Sequence, residues 1–247
     1  MQAELALAKV AVGKALRVLS EAVPAGGKLQ CDGAVPREMK AAADVIAEAA
    51  ILECLRPSGL GYLSEEAGRS GAADAGELRW IIDPLDGTVN FVRGIAPSAV
   101  SLALWRGDEP VFGVIGEYPS GRIAWGGPAI GAFLDDQPLR VSDVGDKGKA
   151  VLCTGFPARF DFSEDSLLRF VRRIEPFGKI RMLGAASLSL LQVAKGAADA
   201  YAEQDIMIWD VAAGLAIVRG AGGRTEVAAA GGADAVNVFA GNGRIAM

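Results

Sequence analysis

The segment Trp80-Ile81-Ile82-Asp83-Pro84-Leu85-Asp86-Gly87-Thr88-Val89-Asn90-Phe91 holds the strongest chemical signal in the chain. An apolar, β-branched run enters it and reads as a buried strand ending at Asp83. Pro84 blocks further strand pairing and Gly87 permits a tight backbone, so two carboxylates emerge together at a strand end. The Leu85 carbonyl between them is left free to point the same way. Two carboxylates and a carbonyl form a hard-cation site of the kind Mg²⁺ prefers. Asp86-Gly87-Thr88 also reads as a helix start, whose free N–H groups and positive dipole end hold a phosphate. Cation and phosphate in one loop point to phosphoryl chemistry.

What the chain lacks narrows that chemistry. Its 247 residues include no histidine. A Ser–His–Asp triad, a Cys–His pair, a phosphohistidine and a histidine-bound zinc are therefore excluded. Hydrolysis near neutral pH must rely on carboxylates, hydroxyls and water activated by a cation. The net charge is −5 and the 25 Lys and Arg are dispersed, so no basic cluster is available to a nucleic acid. No apolar run approaches the length of a membrane span. Glu4 and Lys9 make the N-terminal segment an amphipathic helix rather than a signal peptide. Cys31, Cys54 and Cys153 are few, scattered and odd in number, which fits free thiols, a reducing cytoplasm and a role as small buried hydrophobes.

The elements around the loop follow from periodicity. Helical spacing runs over residues 2–22 and stops at Gly26-Gly27. Residues 28–36 read as an exposed loop turning at Asp32-Gly33, and residues 28–40 raise the question of a lid. Pro36 could open a second helix reaching about Leu55, with Asp44 and Glu48 on adjacent turns of one face. Pro57-Ser58-Gly59 breaks it. A short strand at Gly61-Tyr62-Leu63 leads into Ser64-Glu65-Glu66. From Ala99 to Trp125, short apolar runs between turns predict an antiparallel meander. A weaker break at residues 142–149 divides the chain into 1–145, an α+β half with the metal-binding loop, and 146–247, an α/β half, packed as one unit. In the second half, strands at 150–154, 179–182, 199–202 and 237–240 alternate with helices at 163–175, 185–195 and 209–220. That alternation predicts layered α/β packing. Hydrophobic residues make up 51% of the chain, much of that alanine, so the core must pack small side chains closely.

Other acids have two readings each. Glu65-Glu66 alone would be a solvated turn, but Asp83 and Asp86 need more carboxylates to hold a second cation. Asp210 reads as the N-cap of an apolar helix, a position that also faces a ligand. Trp209 reads as core. Thr88 is either a helix-start hydroxyl or one that orients water and passes a proton to an acid, for which Asp44 is the best candidate.

These residues resemble the inositol monophosphatase family of Mg²⁺-dependent, lithium-sensitive phosphatases. Asp83 to Phe91 matches the pattern Asp-Pro-x-Asp-Gly-Thr-x-Asn-Phe. Trp209 to Gly214 matches Trp-Asp-x-Ala-Ala-Gly, with Ala-Gly-Gly following at Ala221 to Gly223. Ser64-Glu65-Glu66-x-Gly68 and Ala43-Asp44-x-x-Ala47-Glu48 match its Glu-Glu element and early acidic helix. The resemblance implies a layered αβαβα sandwich of the sugar-phosphatase type. It implies two or three Mg²⁺ ions held by Glu65, Asp83, the Leu85 carbonyl, Asp86 and Asp210. Glu65, Thr88 and Asp44 would be catalytic. Asp86, Gly87, Thr88, Glu203 and Asp210 would contact substrate, the Gly87 and Thr88 amides taking the phosphate and Glu203 a substrate hydroxyl. A homodimer is implied as well.

Two departures matter, the first for the Asp44 assignment and the second, at the substrate wall, for recognition of inositol. Lys40-Ala41-Ala42-Ala43 replaces the family's Val-Thr before the early acid, and Gly184-Ala185-Ala186-Ser187 replaces Gly-Ser-Ala-Ala, removing a hydroxyl at Ala185. The expected reaction is hydrolysis of a small phosphate monoester, foremost inositol monophosphate or a related sugar or polyol phosphate, by two-metal activation of water. Fructose 1,6-bisphosphate, histidinol phosphate and 3′-phosphorylated nucleotides are the alternatives, with Lys179 and Arg181 the possible binders of a second phosphate. In another class of function the protein is a regulatory binding partner with residual phosphatase activity.

Overall fold

The computed structural model of the chain describes residues 1–22, 42–71 and 77–247. The readings at Gly26-Gly27, Cys31, residues 28–40 and the Pro36 helix start lie outside these. Helix α1 (Gln2–Ala22) buries Ala8, Ala11, Val12, Ala15, Leu16 and Leu19, the three-and-four spacing of a single helical face. It packs with α2 (Ala42–Leu55) on one face of an eight-stranded sheet.

That sheet contains β1 (Gly61–Ser64), β2 (Gly68–Ser70), β3 (Leu78–Asp86), β4 (Ser98–Arg106) and β5 (Glu109–Tyr118). It continues through β6 (Ile123–Gly127), β7 (Gly131–Leu134) and β8 (Gln137–Pro138), in the order β2-β1-β3-β4-β5-β6-β7-β8. A short helix, α3 (Thr88–Arg93), joins β3 to β4. A second sheet orders its strands β10-β9-β11-β13-β12. These are β9 (Val151–Cys153), β10 (Lys179–Arg181), β11 (Ala200–Met207), β12 (Arg224–Ala229) and β13 (Ala235–Gly241). Helices α5 (Ala186–Ala194) and α6 (Ile208–Gly220) fill the space between the sheets, in a core that runs from Ile81 and Ile115 to Tyr201 and Val238. Beyond the second sheet, Ile174 of α4 (Glu164–Ile174) and Phe177 cover Leu152, Ala200 and Phe239. The layers are α, β, α, β, α, as expected.

The alanine content has a direct use. Helix α6 buries Ala212, Ala213, Gly214 and Ala216, with Ala213 against Gly113 of the first sheet and Gly214 against Leu190 of α5. A Cβ added at Gly113 of β5 would lie 2.3 Å from the Ala213 carbonyl oxygen, so the two backbones touch.

Three expectations are corrected. Strand β3 does not end at Asp83 but continues through Pro84 to Asp86. Between Asp83 and Asp86 it places two residues opposite one of β4, since Asp83 pairs with Ser101 and Asp86 with Ala99. Pro84, which has no N–H to donate, sits in this bulge. The meander runs past Trp125 to Pro138. Strand β12, at the edge of the second sheet, was not anticipated: its residues are mostly exposed and carry no apolar alternation.

Candidate active site

Side chains three apart on a regular strand point to opposite faces, because the strand period is two. The β3 bulge adds one residue and turns both Asp83 and Asp86 into the same cavity, of about 520 Å³. The cavity is lined also by Glu65, the Leu85–Thr88 turn, Glu203 and Asp210. The same device recurs on β11, whose register shifts between Glu203 and Ile206 so that both face the cavity.

Helix α6 brings Asp210 to the cavity from its first turn. The N-cap reading of Asp210 is corrected. The helix begins at Ile208 with Met207 in the capping position, so Asp210 sits within the turn. Glu65 follows β1, its N–H donating to the Ile82 carbonyl. The turn it occupies is anchored by Glu48, whose Oε1 accepts from the Ser64 hydroxyl and, at 2.9 Å, from the Ala67 N–H. Glu48 thus ties α2 to the Glu65 turn.

Asp86 is held from both sides. One oxygen accepts from the Ala186 N–H at 3.1 Å, and the other from the Ser187 N–H at 2.7 Å and the Ser187 hydroxyl. These are the first turn of α5, where free N–H groups favour an anion. Ser187, in the segment expected to form a substrate wall, therefore serves Asp86 instead. The Leu85 N–H donates to Asp83 at 3.0 Å.

Gly87 precedes α3 with φ of +82°, and a Cβ there would meet the Gly184 carbonyl oxygen at 3.1 Å. Only glycine suits both the left-handed backbone and the close approach. Thr88 opens α3, and its hydroxyl lies 3.0 Å from the Leu85 carbonyl and 3.2 Å from Asp44 Oδ1. Asp44 itself is buried and does not line the cavity, so Thr88 stands between it and any ligand. Asn90 donates to the Pro97 and Leu183 carbonyls, both at 2.8 Å, joining α3 to the wall that carries Met182 and Leu183.

Glu203 accepts a 2.9 Å hydrogen bond from the buried Tyr201 hydroxyl. Gly155 packs directly on its carboxylate, where a Cβ would lie 2.9 Å from Oε2. Neither partner was anticipated, although Tyr201 lies two residues before Glu203, the spacing of one strand face. Lys179 and Arg181 do not line the cavity. Trp209 packs against the core between the sheets.

The acids perturb one another. Burial, then the charges of Glu65, Asp86, Asp210 and Asp44, push Asp83 well above the usual carboxylate range. Burial and the charges of Asp86, Glu65 and Glu203 do the same to Asp210, against a hydrogen bond with Asp83. Burial raises Asp86 to about 6, opposed by its bonds from Ser187 and Ala186. Burial raises Glu203 to about 7, aided by the charge of Asp86 and opposed by the Tyr201 hydroxyl and Arg173. Among the described residues, no three Asp, Glu or Cys side chains already form a cation cage. The donor set nonetheless fits a hard divalent cation: all the donors are oxygen, and their mutual repulsion is what a cation relieves. Cys153 is buried in the core between the sheets, its thiol raised to about 11 by burial.

A pH dependence follows. An acid whose folded-state pKa lies above its unfolded value keeps extra protons in the folded state, so stability falls as pH rises between the two values. Here that window runs from the ordinary carboxylate range up to about 7. With no histidine in the chain, few other groups titrate there. The cation-free protein should melt at a higher temperature at about pH 5 than at about pH 8. Mg²⁺ should raise the melting temperature mainly at the higher pH, where the carboxylates are charged. Scanning calorimetry with and without a chelator reads both effects, and the opposite order of melting temperatures would contradict the assignment.

Comparison with known proteins agrees with this architecture. The chain matches the inositol monophosphatase family over residues 1–245. It is 39% identical over 218 residues to the inositol-1-monophosphatase of Rhizobium meliloti (strain 1021), covering 85% of this chain and 81% of that protein. It is 38% identical over 183 residues to a protein of Xylella fastidiosa named Nus factor SuhB, covering 73% of this chain and 66% of the other. The solved structure of inositol monophosphatase from Anabaena (Nostoc) sp. PCC 7120 superposes with a TM-score of 0.83 at 30% identity, covering 98% of this chain and 92% of that one. The chain belongs to the inositol monophosphatase family and is a phosphoric monoester hydrolase.

Proposed function

We propose that the protein hydrolyses the monoester of a small polyol or sugar phosphate in a Mg²⁺-dependent reaction. The observation that carries this reading is one cavity in which Glu65, Asp83, Asp86 and Asp210 meet the Gly87–Thr88 turn, with Asp44 directly behind Thr88. Glu65, Asp83, the Leu85 carbonyl, Asp86 and Asp210 would hold the divalent cations, which supply Lewis-acid charge for activating water and stabilising the leaving oxygen. The Gly87 and Thr88 amides present N–H groups to the phosphate. Thr88 orients the attacking water, and its hydroxyl passes a proton toward Asp44. Glu203, fixed by Tyr201, accepts a hydroxyl of the substrate.

Among the described residues the cavity is lined by no Lys or Arg. A second phosphate would lack a cationic partner, which favours monophosphates over fructose 1,6-bisphosphate or phosphorylated nucleotides. The name of the Xylella relative supports a second reading, in which the protein acts mainly as a regulatory partner. The test is phosphate release from inositol 1-phosphate, histidinol phosphate, fructose 1,6-bisphosphate and a 3′-phosphonucleotide, with and without Mg²⁺ and Li⁺. Mg²⁺-dependent, Li⁺-sensitive release, fastest from a monophosphate, is expected. No release from any substrate would overturn the proposal and favour the partner reading.

A further inference from the structure

Glu65 and Asp210 reach the cavity from opposite halves of the chain. Glu65 sits in the connection Glu65-Glu66-Ala67 between β1 and β2, and β2 is the outermost strand of its sheet. An edge strand of 3 residues, two of them exposed, is a weak support. Asp210 comes from the first turn of α6. The two acids share one space, and the charge of Glu65 is among those that push the Asp210 carboxyl up. Until a cation binds, their repulsion works to part the elements that carry them.

Glu48 fastens the Glu65 turn to α2, within its own half. A different contact fastens it to the other half. Arg69 of β2 donates through Nη2 to Asp234 Oδ1 at 2.6 Å, across 165 positions of sequence. Asp234 stands between β12 and β13 with φ of +60°, a left-handed backbone that Asp and Asn tolerate. Its carbonyl oxygen accepts from the Ile208 N–H at 2.9 Å, one of the free N–H groups at the start of α6. Its carboxylate takes Arg69. One residue therefore grips both the first turn of the Asp210 helix and the hairpin that carries Glu65.

We propose that Arg69 and Asp234 are positioning residues for cation binding. Their ion pair holds the Glu65 turn and the start of α6 at the separation in which both acids reach the same cation site. This rests on the cation-dependent reading of the cavity. Neither residue lines the cavity, so both act through the acids they hold. Placing those acids beforehand spares the cation the cost of ordering them. By linkage, the pair adds no more to cation affinity than it is worth itself. Its side chains are 43% and 28% exposed, which sets that limit at about fivefold in dissociation constant.

The test is titration calorimetry of Mg²⁺ into the chelator-treated full chain without substrate, comparing wild type with Arg69→Gln, Asp234→Asn and the double variant. Asparagine keeps the left-handed backbone and the Ile208 contact, so only the side-chain grip is lost. Charge alone predicts opposite signs: losing Arg69 would tighten Mg²⁺ binding, losing Asp234 would weaken it, and the double would return near wild type. The clamp predicts that each single variant binds about fivefold more weakly and the double no more weakly than either. Arg69→Lys, which keeps one cationic donor for a single contact, should stay within about twofold of wild type. Unchanged or tighter binding by Arg69→Gln would overturn the proposal. So would a double variant near wild type, or one about twenty-fivefold weaker, the sum of two independent effects. Each of those results leaves the phosphatase reading standing, whereas wild-type protein that binds no Mg²⁺ would overturn both.

Discussion

Asp86→Asn is expected to lower kcat/KM by at least about a thousandfold, roughly 4 kcal/mol of lost transition-state stabilisation. The argument begins with how Asp86 is held. Its two oxygens accept three hydrogen bonds from the first turn of α5, so the side chain enters the cavity in a fixed orientation. Asparagine keeps the shape and one acceptor but loses the charge a divalent cation needs. Two effects on the fold oppose each other. The amide NH₂ meets a backbone N–H that formerly had an acceptor, at a cost of about 1–3 kcal/mol. Removing a buried anion from a cluster of mutually repelling acids works the other way. The melting temperature should therefore fall by no more than about 4 °C while turnover disappears. Rates near wild type at saturating Mg²⁺ would remove Asp86 from the cation site.

Gly113→Val should have the largest effect on stability, about 3 kcal/mol or a 6–12 °C fall in melting temperature. A Cβ at Gly113 would stand 2.3 Å from the Ala213 carbonyl oxygen and 2.5 Å from its Cα. Both are backbone atoms of α6, so the helix itself must move rather than a side chain turn aside. The same helix carries Asp210, three residues from the clash. Activity measured well below the melting transition should therefore fall as well, because a shift of about 1 Å in a positioned acid is costly. A variant that melts early yet turns over normally would show that the helix seat and the acid site are uncoupled.

The sequence revealed the chemistry more readily than the geometry. Asp83, Asp86, Glu65 and Asp210 were visible as acids beside glycines and strand or helix ends, and they line one cavity. The helices at 163–175, 185–195 and 209–220 appear within a residue of their expected bounds, α4 because its apolar periodicity is strong and α5 and α6 because they are apolar runs buried nearly all round. Register was not legible. Nothing in Pro84-Leu85 or Gln204-Asp205 announces that two residues will face one on the neighbouring strand, yet both bulges decide which side chains reach the site. Partners brought by tertiary packing were also hidden. Ser187 is 101 positions from Asp86 in sequence, and the clamp of Glu48 on Ser64 needs α2 and β1 to meet. Strand β12 escaped because an exposed edge has little hydrophobic pattern to read.

The cavity divides between two kinds of structure, and that division has a consequence for how such a protein changes over generations. The acids stand on or beside strands β1, β3 and β11 and helix α6, elements locked by the shared core. An apolar wall of the same cavity hangs on three connections, after α3, β9 and β10, with Ile95, Phe156 and Met182 partly in solvent. A mutation at one of those three disturbs little packing, whereas one at Asp83 or Asp210 strikes the buried acid cluster on which the proposed reaction depends. Descendants of this chain can therefore drift to new alcohols through substitutions at the mouth, carrying an unaltered phosphate-cleaving centre with them.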